Sequence, residues 1–102
     1  LRNEALAPVT HDWLRQDKAA AEAWMNSLPQ GKIRDKALRQ KTVFHVKNED
    51  FSSAFEAVEQ IGADLNRSSM EEYVLIIMRR QDEQAARQKA TQLGVDLDKL
   101  PN

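Results

Sequence analysis

Two residue types recur along this 102-residue chain at a near-constant interval, and that interval constrains the fold more than any bulk property. Arg2, Arg34 and Arg67 are separated by 32 and 33 positions, and Asp17, Asp50 and Asp82 by 33 and 32. The residues between the markers agree as well. Arg2-Asn3-Glu4-Ala5-Leu6 parallels Arg34-Asp35-Lys36-Ala37-Leu38, and Trp13-Leu14-Arg15-Gln16-Asp17 parallels Met78-Arg79-Arg80-Gln81-Asp82. Three and four places after each aspartate stand small residues: Ala20-Ala21, Ser53-Ala54 and Ala85-Ala86. Eight places on come Met25, Val58 and Ala90, and eleven places on come Leu28, Ile61 and Leu93. The pattern reads as three copies of one unit, near 2–31, 34–63 and 67–94, followed by a tail at 95–102.

Within each unit the apolar spacing is helical. Ala20, Ala21, Trp24, Met25 and Leu28 make one stripe, and Ala54, Val58 and Ile61 make another. Each aspartate suits an N-cap, where a carboxylate accepts bonds from unpaired amides at the positive end of the helix. Pro29, Gly31, Gly62 and Gly94 mark the ends of these segments. The spacing predicts helices near 2–15, 18–28, 33–47, 51–61, 67–80 and 83–93, with Pro8 kinking or restarting the first. A lone helix pair cannot bury both its apolar faces, so the pairs must stack. The expected fold is all-α: about six antiparallel helices in three stacked pairs, as a superhelix or compact bundle in one domain over 1–102. Leu1 is not an initiator methionine, which predicts a piece of a longer protein.

One stretch carries a resemblance. Ala23-Trp24-Met25-Asn26-Ser27-Leu28-Pro29-Gln30-Gly31 with Arg34-Asp35-Lys36-Ala37-Leu38, preceded by Trp13 to Asp17, resembles a bacterial tandem helix-pair repeat. It is similar to the tetratricopeptide-like and HEAT-like α-solenoids. The resemblance implies a protein-binding scaffold and brings no catalytic residue with it.

Residue chemistry points the same way. Fifteen basic residues stand against sixteen acidic ones, a formal charge of −1, which disfavours nucleic acid as a partner. The absence of cysteine removes disulfides and thiolate chemistry. The longest apolar run, Val74 to Met78, is far short of the roughly 18 residues that cross a bilayer. His11 and His45 lack the ligand partners that zinc needs. Glu49-Asp50, Glu71-Glu72 and Asp82-Glu83 read as acids at helix starts, not as a catalytic pair. Gly31-Lys32 lacks the rest of a phosphate loop. No enzyme, cofactor or metal is expected.

What remains is binding. Phe51 and Phe55 depart from the repeat and share a helix face. They predict either an aromatic anchor patch or deeper burial of the central unit. Ser52, Glu56 and Glu59 on the same helix, with Gln84, Gln88 and Thr91 on the last, are the expected lining of a groove for a protein or peptide partner. Two alternatives stay open. The basic residues Arg79, Arg80, Arg87 and Lys89 could serve a regulatory domain that contacts nucleic acid, and uncapped end units could pair two copies as a homodimer.

Overall fold

A computed structural model describes residues 12–101. Residues 12–16 are helical. Five further α-helices follow: α1 (Lys18–Ser27), α2 (Lys32–Lys47), α3 (Phe51–Glu59), α4 (Asp64–Gln81) and α5 (Glu83–Leu93). A short 3-10 turn, Leu97–Lys99, ends the described chain, and no strand occurs among the described residues. The fold is an all-α bundle of about six helices. Arg2, Pro8 and His11, with most of the helix expected at 2–15, lie outside the described residues.

Asp17, Asp50 and Asp82 have identical local roles. Their carboxylates accept the amide N–H of Ala20, Ser53 and Ala85, each at 3.1 Å, capping α1, α3 and α5. The Ser53 bonds also hold the Asp50 carboxyl below its usual range. Neighbours along the chain pack together, α2 on α3 and α4 on α5, and α4 also lies against α2 and α3.

Two helix boundaries differ from the sequence reading by more than one residue, for physical reasons. Helix α4 starts at Asp64, three residues ahead of Arg67. The loop leading into it is held by a residue distant in sequence: the buried Asp35 of α2 accepts the amides of Gly62 at 2.9 Å and Ala63 at 3.2 Å. Arg67 reinforces the turn through the Ile61 carbonyl at 2.9 Å and the Asp64 carboxylate at 2.5 Å. Helix α3 stops at Glu59 because the amides of Gln60 and Ile61 bond three residues back, to Ala57 and Val58. That tight last turn swings Ile61 into the core.

Two helices end alike with different residues. After α5, Gly94 takes φ +74° and the Val95 amide bonds the Ala90 carbonyl at 2.9 Å. After α2, Glu49 takes φ +57° and the Asp50 amide bonds the His45 carbonyl at 2.9 Å. Glycine reaches this left-handed region freely, whereas glutamate pays a steric cost there.

The core falls into two clusters. The larger gathers Leu38, Val46, Phe55, Val58, Ile61, Met70, Val74 and Leu75 with Ala54, Ala86, Ala90 and Leu97. The smaller joins Leu14, Ala21, Met25 and Ala37 under Trp13, Trp24, Leu28 and Phe44. The residues read as a tail at 95–102 are in part structural. Leu97 is buried, and Arg79 of α4 donates to the Leu97 carbonyl at 2.8 Å and also to the Pro101 carbonyl.

Candidate binding groove

Helices α3 and α5 follow their aspartate caps side by side and leave a groove of about 450 Å³ between them. Its walls are Phe51, Ser52, Phe55, Glu56 and Glu59 from α3, and Ala85, Gln88, Lys89 and Gln92 from α5, with Met78 of α4 also lining it. The α3 residues follow the spacing i, i+1, i+4, i+5, i+8, and the α5 residues follow i, i+3, i+4, i+7. Both are single helix faces. Small Ala85 opposite the aromatic residues leaves the space open.

The sequence-predicted residues divide in an informative way. Ser52, Glu56, Glu59 and Gln88 line the groove, as do Phe51 and Phe55. Phe55 is nevertheless only 4% exposed and belongs to the larger core, while Phe51 is half-buried at its edge. Phe55 packs the central helix, as the burial reading expects, and Phe51 keeps part of its ring accessible. Gln84 and Thr91 do not line the groove. Gln84 is exposed, and Thr91 donates its hydroxyl to the Arg87 carbonyl and faces a separate shallow concavity of about 230 Å³ with Val95 and Leu97. The cause is rotation about α5: Ala85, Lys89 and Gln92 face the groove, about 100° round from the expected stripe.

Met78, Ala85, Lys89 and Gln92 were missed. The i, i+3, i+4, i+7 spacing through Ala85 was available in the sequence. The position of Met78 depends on helix packing and was not.

Charges around the groove are uneven. The Lys89 ammonium sits over the Phe55 ring, 4.8 Å from its centroid. Neither Glu56 nor Glu59 has an ion-pair partner among the described residues, whereas Glu22, Glu83 and Asp98 do. Glu22 meets Lys41 at 3.4 Å and Lys18 at 3.9 Å, and Arg87 meets Asp98 at 3.0 Å and Glu83 at 3.6 Å. That contact raises the Arg87 pKa and lowers that of Asp98.

Three of the four basic residues considered for nucleic acid make contacts within the chain. Arg79 caps the carbonyls of the terminal segment, Arg87 is held by two acids, and Lys89 covers Phe55. His45 is buried on α2 with its ring edge-on to Phe44 at 5.4 Å. Burial lowers its pKa, and the Lys18 ammonium lowers it further. No group of three or more His, Cys, Asp or Glu among the described residues could hold a metal ion. No helix there is long and apolar enough to cross a membrane.

The chain matches no protein-family model, no curated protein and no solved structure.

Proposed function

We propose that this chain is a non-catalytic protein-interaction or scaffold module, built of helix-pair repeats of the tetratricopeptide-like or HEAT-like kind, and that the α3–α5 groove receives its partner. The observation that carries this reading is the composition of the groove. Apolar Phe51, Phe55 and Met78 stand beside the polar, accessible Ser52, Glu56, Glu59, Gln88 and Gln92. An apolar centre inside a polar rim is the anatomy of a protein interface, and aromatic side chains supply most of its binding energy. The equivalent caps at Asp17, Asp50 and Asp82 support the repeat component, because one local structure recurs at the same sequence interval. The intramolecular roles of three of the four cations behind the nucleic-acid alternative favour the protein-binding reading.

Selection of displayed random peptides on the intact chain tests the proposal. Enriched peptides should bind Ser52→Arg and Gln88→Arg variants at least about tenfold more weakly, because a bulky charge then fills the groove. Both positions are exposed, so circular dichroism should show an unchanged fold. Failure to enrich any peptide, or enriched peptides that bind the two variants as tightly as wild type, rejects the proposal.

A further inference from the structure

We infer that the occupant of the groove is a second copy of this chain, which inserts an apolar knob, the exposed Leu65 at the start of α4. The inference rests on the reading of the groove as a binding site and names its partner. Ile33 (47%) and Leu65 (84%) are the exposed large hydrophobic residues among those described. Each adjoins in sequence a residue lining one concavity of about 240 Å³, formed by Lys32, Asp35, Lys36, Arg39 and Asn66. Asp35 is committed to the Gly62 and Ala63 amides, so its charge serves the fold. Lys32, Lys36 and Arg39 have no ion-pair partner among the described residues.

This concentration of positive charge is unfavourable for α2 by itself. Lys32 and Lys36 stand four residues apart in the first turns, at the positive end of a helix whose N-cap, Gly31, offers no side chain. The groove has an acidic excess, with Glu56 and Glu59 unpaired beside Phe51 and Met78 and the Lys89 ammonium turned over the Phe55 ring. The molecule therefore displays an apolar knob in a basic setting and an apolar groove with an acidic rim. Their contact would cover Leu65 and pair the charges left open on each side.

The knob and groove share no residue, so one copy's knob enters another copy's groove. Reciprocal insertion closes a two-fold pair, and one-way insertion leaves a groove for the next copy until a ring closes. Either arrangement extends between molecules the stacking that packs helix pairs within one.

Sedimentation velocity over roughly 10 μM to 1 mM, the range of a small transient interface, tests this. Wild type should grow in mean mass with concentration, and added salt should reduce the association several-fold. The double variants Glu56→Lys/Glu59→Lys and Lys36→Glu/Arg39→Glu should each stay monomeric, because each carries like charge on both surfaces. An equimolar mixture of the two should regain association, since every knob then meets an oppositely charged groove. Leu65→Ser should abolish association whatever the charges. A wild type that stays monomeric, association indifferent to these changes, or a mixture that fails to recover overturns the inference. If wild type is monomeric while displayed peptides still bind the groove, only self-association is lost. If neither occurs, the groove is not a binding site.

Discussion

At the front of the described chain, Leu14, Ala21, Met25 and Ala37 form a cluster roofed by two tryptophans, whose rings lie 5.5 Å apart and tilted by 41°. Behind it, twelve buried residues drawn from α2 to α5 and the terminal turn interlock in one larger core. The first cluster covers its apolar surface with a few large rings around fully buried Ala21 and Ala37. The second spreads the same task over many aliphatic chains, each held by several helices. A cluster with few contributors can open without disturbing the rest, whereas a shared core is lost as a whole. The groove belongs to the second region, so its walls are set by the more cooperative part of the molecule.

The largest expected effect tests that asymmetry. Leu75→Ala removes a fully buried side chain from the larger core and should cost about 3 kcal/mol, shifting the urea midpoint for the whole chain. Leu14→Ala creates a similar hole in the smaller cluster. It should speed hydrogen exchange in 12–27 while leaving 51–93 near wild-type values. Equal loss of protection throughout the chain in both variants would remove the distinction between the regions.

Next in size is Asp35→Ala. It strands the Gly62 and Ala63 amides at the start of α4 and should cost about 2 kcal/mol, read from the urea midpoint. Because α4 contributes Met70, Val74 and Leu75 to the larger core, the effect should be global. A loss confined to the front of the chain would contradict this.

The two left-handed helix ends should respond with opposite sign. Gly94→Ala forces a Cβ into φ +74° and should cost about 1 kcal/mol, whereas Glu49→Gly should stabilise by up to about 1 kcal/mol. Thermal denaturation of both variants provides the check, and a shared sign would mean that neither position is governed by backbone strain.

The smallest effect concerns the seam between the regions. His45 is held below its ordinary pKa near 6.5 by burial and Lys18, with Lys41 acting the same way and Asp50 and Glu22 opposing. The unfolded chain therefore takes up the proton first. Stability should be full above pH 6.5 and fall as the pH drops through that value. His45→Gln should flatten the stability profile between about pH 6.5 and 5, before the carboxylates titrate. An unchanged slope in the variant would assign the acid sensitivity elsewhere.

Features set by local sequence were legible, and features set by packing were not. The aspartate caps need only a side chain and an amide three residues on, so α1, α3 and α5 could be located from spacing. The start of α4 could not, because Asp35 reaches its loop from 27 residues away. Docking of the terminal segment was invisible for the same reason: Arg79 reads as a basic surface residue until the Leu97 carbonyl is placed beside it. For the groove, helix periodicity identified the α3 wall, where two phenylalanines mark the face. It misplaced part of the α5 wall, where glutamines and alanines leave the facing side ambiguous.

The most direct measurement is hydrogen exchange on the dilute chain, with and without a groove-selected peptide. The expected result is slower exchange in 51–59 and 83–93 on binding, with 12–28 unchanged. Protection that appears instead in 12–28, and not along α3 and α5, would contradict a binding site built on the larger core.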